Sequence, residues 1–454
     1  MMVSLPSIVL IDDKKNELDA LQDSFTLSGY PCFPIQYIND NPDNHTGIDH
    51  VNLEMIKPRV IITDLNLQEQ QISNSTQLVA PIAEILKKLS LQGPYLLYFW
   101  SKNEGHVENV LKILFERHSD IPYPIHFGII SKSEFLDNSE TLKTKVEGLL
   151  TENPIFNALF SWENRISSAA QATTNSLFNL AKSSNPEDIS DFQEKTTNKL
   201  QKMIAVIGNE TLGTQNAKDE PEVAIEQGLA PVLHDRIQSN YEHIDRTVWL
   251  KAAHGIGTRL EADREIKAHL NSFYHVEGIE AGAPKNKRGT WIEFEEIYLN
   301  NPAKVLQNLG RNIKTLKNEE FLNSDVGTKT TRKEAHNATK LGFIELSAEC
   351  DQAQRKTKLH KYFLSAMIPI EYEANTLFSG SRNTNHNGIY RLPNIIVNGH
   401  EYIVKISFRY QVGAMPEANK WLGNPIFKLK DQILADISYQ ASQHSARPGI
   451  IRFD

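Results

Sequence analysis

An alternation filling the first third of the chain constrains its fold more than any other feature. Short, continuously apolar runs, IVLI (8–11), the weaker CFPIQYI (32–38), VIIT (60–63), YLLYFW (95–100) and HFGII (126–130), are separated by amphipathic stretches. A run that is apolar throughout, rather than at every second residue, belongs to a strand covered on both faces. The stretches Glu17–Ser28, Thr76–Ser90, Val107–Arg117 and Ser139–Leu150 carry apolar residues at helical spacing. Right-handed crossovers then give an α/β fold, a doubly wound five-stranded parallel sheet whose ligands gather outside the carboxyl ends of its strands. The residues at those tips therefore matter most.

The bulk numbers bound the rest. With 454 residues, 40% hydrophobic and 23% charged, the chain is long enough for two or three domains with real cores. No apolar run approaches a membrane span, and MMVSLPS has neither the basic flank nor the apolar length of a secretory signal, so a cytoplasmic protein with no membrane partner is expected. Cys32 and Cys350 are the only cysteines, too few for a disulfide framework or a cysteine-rich metal site, and a reducing compartment fits. The net charge of −8 argues against wholesale wrapping of nucleic acid.

Four regions follow from the pattern. Residues 1–153 hold the parallel sheet. Residues 154–207 read as a helical connector, with Ile155, Leu159, Trp162, Ile166, Ala170, Leu177 and Leu180 on one stripe. The polar stretch GNETLGTQNAKDEPEV (208–223) reads as a linker, and 221–330 as mainly helical, with Leu260, Ile266, Leu270 and Phe273 in TRLEADREIKAHLNSFY. Residues 331–454 read as an α+β region with antiparallel strands. FIELS (343–347) and YFLSAMIPI (362–370) are strand candidates, and KLKDQILADISYQASQHS is a closing helix. Asn398-Gly399, between IIV and HEYIVKISFRY, predicts a hairpin, because a type I′ turn needs positive φ at both central residues.

At the predicted tips stand Asp12 and Asp13 after the first run, Asp64 after the third, Ser101 after the fourth and Lys132 after the fifth. Side-by-side carboxylates repel unless a cation lies between them. Mg²⁺ takes oxygen ligands, so Asp12, Asp13 and Asp64 are the expected metal ligands. A hydroxyl at Ser101 and an ammonium at Lys132 suit a phosphoryl group.

This constellation resembles the receiver domain of two-component response regulators, which has a flavodoxin-like fold, over roughly residues 5–150. The resemblance implies that Asp64 accepts a phosphoryl group from a sensor histidine kinase or another phosphodonor, that Asp12 and Asp13 hold Mg²⁺, and that Ser101 and Lys132 sense the phosphoryl group. The chain departs from the family in having Ser133 where a proline usually follows the lysine, and Ile129 at a position that is often aromatic.

The region after 154 resembles no output domain. Cys350 between Glu349 and Asp351, with Lys356 and His360 beyond, offers a thiolate–imidazole pair, and Glu345, Glu349, Asp351 and Lys356 offer a nuclease-like carboxylate group. A small buried cysteine and a solvated charged face account for the same letters. Between 311 and 361 eleven bases face seven acids, a local balance of +4 that would suit phosphates, though an ordinary solvated surface also accounts for it. The expected function is a regulatory protein rather than a dedicated catalyst. Its receiver switches an output that binds a protein partner or nucleic acid, with homodimerisation through the connector. The alternative is a receiver-regulated hydrolase or nuclease, in a defence-type system.

Overall fold

The computed structural model describes residues 7–39, 46–54, 56–68, 74–135, 139–149, 151–239, 245–280, 282–323, 325–348, 351–352, 356–377, 388–416 and 420–446. The chain divides into two units, Met1–Ser176 with Leu233–Thr258, and Leu177–Val232 with Arg259–Asp454. Among the described residues no helix is long and apolar enough to cross a membrane.

In the first unit the five apolar runs form five parallel strands, β1 (Ile8–Asp12), β2 (Cys32–Gln36), β3 (Val60–Thr63), β4 (Leu96–Ser101) and β5 (His126–Ser131), ordered β2-β1-β3-β4-β5. Both faces are covered, which is why the runs show no polar alternation. Val9, Ile11, Ile61, Leu97 and Phe99 pack with Ile82 and Ile85 of the helix Val79–Lys88 and Leu114 of Val107–Arg117. Leu10, Ile62, Tyr98 and Trp100 pack on the other face with Leu21 and Phe25 of Lys15–Leu27 and Val146 of Ser139–Leu149. Register sets the tips. Ile11 pairs with Thr63, so Asp12 and Asp64 follow next on neighbouring strands. Ser101 pairs with Ser131, so Lys132 lies one residue beyond.

The connector is a continuous helix, Pro154–Ala181. Its buried residues are Phe156, Ala158, Ala169, Thr173 and Ala181, whereas Ile155, Leu159, Trp162 and Leu180 of the predicted stripe are exposed. Small side chains allow close approach on the buried side, and Phe156 enters the core of the parallel sheet and stacks on Phe160. Arg59 fixes the same helix with a two-pronged pair, Nε to Glu163 Oε2 at 3.1 Å and Nη2 to Oε1 at 2.6 Å. Arg59 precedes β3, so the connector is held at the amino end of the strands, a strand length of about 15 Å from the tips.

In the second unit the stretch 208–223 is helical rather than a linker. The helix Ile189–Leu212 ends at Gly213, whose φ of 81° turns the chain into Thr214–Asp219 and then Pro221–Ser239. The polar letters lie on exposed helical faces, while Leu212, Ala217 and Ala224 form a small core. The helix read at 260–273 is shorter, Arg264–His275, and Leu260, Ile266, Leu270 and Phe273 are exposed.

The C-terminal sheet is antiparallel, ordered β10-β12-β9-β8-β7-β13-β6, with β11 paired to β12. Its strands are β6 (Val276–Gly278), β7 (Thr290–Phe294), β8 (Lys340–Glu345), β9 (His360–Pro369), β10 (Ile389–Arg391), β11 (Ile395–Val397), β12 (His400–Ala414) and β13 (Leu422–Leu429). β6 and β7 come from the stretch read as mainly helical, so the sheet begins before residue 331. Both of its faces are buried with period two. Trp291, Ile344, Phe363 and Val404 pack with the closing helix Asp431–Ser445, and Ile292, Phe343, Leu364 and Ile403 pack with Val305, Leu316 and Ala335. The Asn398-Gly399 turn forms as expected, with φ of 50° and 76° between Val397 and His400.

Gly342 on β8 shows how tight this packing is. A Cβ there would lie 2.6 Å from the Ile292 carbonyl and 2.7 Å from Trp291 Cη2. Trp291 is fully buried and donates to Ser365 Oγ at 3.0 Å, so it has nowhere to move. Gly342→Ala is expected to lower stability by about 1–3 kcal/mol through overpacking, read from the urea midpoint.

Candidate functional site

Four side chains from separate elements converge at the carboxyl end of the parallel sheet. Lys132 Nζ donates to Asp12 Oδ2 at 2.7 Å and to Asp64 Oδ2 at 2.8 Å, and lies 2.6 Å from Glu17 Oε2. All four residues are buried, with 0% of Asp12, 6% of Glu17, 7% of Asp64 and 3% of Lys132 exposed. The second oxygen of each aspartate is held by backbone, Asp12 Oδ1 by Lys14 N–H at 2.9 Å and Asp64 Oδ1 by Asn66 N–H at 3.2 Å. Asp64 N–H in turn donates to Ile11 O at 2.9 Å, continuing the ladder to the tip. Neither carboxylate is free to swing.

Three carboxylates and one ammonium make an unbalanced buried cluster. Burial raises the Asp12 pKa above the usual carboxylate value; Lys132 pulls it down and Asp64 adds to the rise. Burial alone would lower the Lys132 pKa, but the attraction of Asp64 and Asp12 reverses this and holds it above the ordinary lysine value. Lys132 therefore stays protonated. Its Nζ also lies 5.9 Å from the centre of the Trp100 ring, on the strand between β3 and β5.

Candidate ligand atoms of Asp12, Glu17 and Asp64 all lie within 4.8 Å of one another, so this buried triad could hold a metal ion. Carboxylate oxygens are the donors that a hard cation such as Mg²⁺ takes. Glu17 was not singled out from the sequence. Its signal was an acidic residue in the first turn of the helix following the acidic pair, where the helix dipole favours it. Asp13 stands half-buried next to Asp12 but outside the close group. Ser101 is fully buried as the last residue of β4, its Oγ accepting from Asn103 N–H at 3.1 Å.

The candidates in the C-terminal region are less concentrated. Cys350 and Glu349 lie outside the described residues. Asp351 and Lys356 are exposed. His360 is buried, its Nδ1 2.9 Å from Glu345 Oε1 and 3.2 Å from Gln352 Nε2, and Ser347 N–H donates to the same glutamate oxygen. That pairing ties β8 to β9 through Glu345 Oε1, while Glu345 Oε2 is buried without a hydrogen-bond partner among the described residues. A further buried amino group, Lys405 on β12, donates to Phe321 O at 2.9 Å and Thr376 O at 2.6 Å. Burial first, and Arg391 second, push its pKa down to about 7.

Comparison with protein-family models, curated proteins and solved structures finds no match to this chain. The site is therefore read from its own geometry: a receiver-like five-stranded parallel sheet carrying a buried acidic cluster.

Removing the one cation from this cluster leaves three buried carboxylates facing each other. Lys132→Met is expected to cost about 3–5 kcal/mol, measured by urea unfolding. Lys405 gives a pH dependence of definite sign. Between about pH 7 and the free lysine value of 10.5, the unfolded chain binds a proton at this position that the folded chain has released. Its contribution to stability therefore grows as pH rises through that window. The melting temperature should climb less steeply from pH 7.5 to 9 in Lys405→Met than in wild type.

Proposed function

We propose that residues 1–153 act as a phosphoryl-accepting switch of the receiver type and that the remaining region is a binding output under its control. One observation carries the reading: an ammonium bridging Asp12 and Asp64 on adjacent strand tips, with the buried hydroxyl of Ser101 ending the next strand. In the proposed step a carboxylate oxygen of Asp64 attacks phosphorus. The bond from phosphorus to the donor atom breaks, a ring nitrogen in a phosphohistidine or an oxygen in an acyl phosphate, and the leaving group departs with the electron pair. A carboxylate is a weak nucleophile, but phosphoryl transfer asks chiefly for in-line positioning and charge neutralisation.

This chain's own residues supply much of that. Backbone N–H groups orient Asp12 and Asp64, and Lys132, already 2.8 Å from Asp64, follows the negative charge onto the phosphoryl oxygens. Asp12, Glu17 and Asp64 would hold Mg²⁺, which would supply a second positive charge when bound. The hydroxyl of Ser101 donates to a phosphoryl oxygen and draws the end of β4 with it, biasing the surface around β4 and β5. A sensor histidine kinase or a small cytoplasmic acyl phosphate serves as donor. Asp351 and Lys356 stand exposed rather than buried with Glu345 and His360, which favours a binding output over a hydrolytic one.

Incubation with acetyl phosphate and Mg²⁺ followed by intact-mass measurement should show a single phosphoryl-sized gain in wild type and none in Asp64→Asn. Absence of the gain in wild type, or its persistence in the variant, would overturn the assignment.

A further inference from the structure

The second unit contains a cavity of about 480 Å³, within the roughly 300–1,000 Å³ range of small-molecule sites. Its charge is one-sided. Lys314, Lys329, Arg332 and Lys333 line it together with His336, and no acidic side chain does so among the described residues. In a protein of net charge −8 this is a local reversal.

The cations are arranged by helix geometry. Positions 329, 332, 333 and 336 follow the i, i+3, i+4, i+7 spacing that puts side chains on one face of the helix Lys329–Ala338. That placement is unfavourable for the helix itself. Its first turn holds no acidic residue, and Lys329, Arg332 and Lys333 crowd the end where the helix dipole is already positive. Like charges three and four residues apart on one helix face repel and add to that penalty. A polyanion in the cavity would reverse every one of these terms.

The rest of the wall is built and held. Leu322 and Ala335 are buried apolar contacts at the base. Asn318 stands on the π-helical turn Leu316–Phe321, a rare geometry that recurs at functional sites, and its Oδ1 is 2.9 Å from His336 Nδ1. Asn375 Nδ2 donates to Val326 O at 2.9 Å, and the backbone carbonyl of Asn375 accepts from Asn323 N–H at 2.6 Å. Behind both walls Lys405 grips Phe321 O and Thr376 O, the carbonyls next to Leu322 and Asn375. The cavity thus has a cationic side, an apolar base and two side-chain amides each held by a hydrogen bond.

We propose that this cavity binds a phosphorylated small molecule of the nucleotide class, its phosphates on Lys329, Arg332 and Lys333 and its polar ring toward Asn318 and Asn375. The assignment is independent of phosphoryl transfer to Asp64.

The test is calorimetric titration of the full chain with Mg²⁺-free ATP, inorganic tripolyphosphate, adenosine and a single-stranded DNA oligonucleotide. ATP should bind at one site and more tightly than tripolyphosphate. Lys329→Glu and Arg332→Gln should each weaken ATP by roughly tenfold or more, the loss of a charge-assisted contact, while Asp64→Asn leaves it unchanged. Without ligand, Lys329→Glu should melt at or above the wild-type temperature, because it places an acid at the helix start; a lower temperature would overturn the electrostatic argument. No ATP binding in wild type, or affinity untouched by both variants, would overturn the site. Tripolyphosphate binding as tightly as ATP would overturn the nucleotide class, and DNA binding more tightly than ATP would replace it with a nucleic-acid surface.

Discussion

The amino group of Lys132 is the interaction on which the carboxyl end of the parallel sheet depends. Taking a carboxylate out of water costs several kcal/mol even after relaxation, and three are buried here within reach of one another. The single ammonium offsets that cost for Asp12, Glu17 and Asp64 at once, at 2.6–2.8 Å from each. Because these residues come from β1, the helix after it and the end of β3, and the lysine from the end of β5, the same contacts fix how the tips lie relative to one another. Stability and chemistry are coupled here: whatever draws Lys132 away from one carboxylate changes the electrostatics of the other two.

The second unit solves a different problem. Its sheet is buried on both faces, so its long strands alternate between two cores rather than between core and water. Polar groups within it find partners inside the protein, as Trp291 does in Ser365 and His360 in Glu345 Oε1, although Glu345 Oε2 is buried without a hydrogen-bond partner among the described residues. Lys405 is the extreme case, a lysine with 1% exposure that holds two backbone carbonyls. A neutral amine still has two N–H groups to give them.

The parallel sheet was legible because its strands are apolar without interruption, and its site because a polar residue directly after such a run has to be a tip. Asp12, Asp64 and Ser101 were found in this way, and Lys132 one residue further on, after Ser131. Glu17 was not, since an acid in the first turn of an amphipathic helix looks the same whether it faces solvent or a buried lysine. The stretch 208–223 misled because polar composition resembles a linker, while its helices contribute only three small-to-medium side chains to a core. The stripe on the connector misled for the opposite reason: the face that packs is marked by alanines and Phe156, and the larger apolar residues lie outside it. β6 has three residues and β7 five, too short for period two to emerge from the helical pattern around them.

The attachment of the connector gives β4 a mechanical part. Ser101 ends this strand, and Tyr98, three residues and about 10 Å earlier, donates its hydroxyl to Leu149 O at 2.9 Å and lies 3.0 Å from Glu152 Oε2, just ahead of the connector helix. A strand hydrogen-bonded on both sides is stiff along its length. On the proposed reading, a tug on the hydroxyl at one end would pull on a strand that is tied, three residues away, to the backbone at the root of that helix, as a pushrod is tied to its lever.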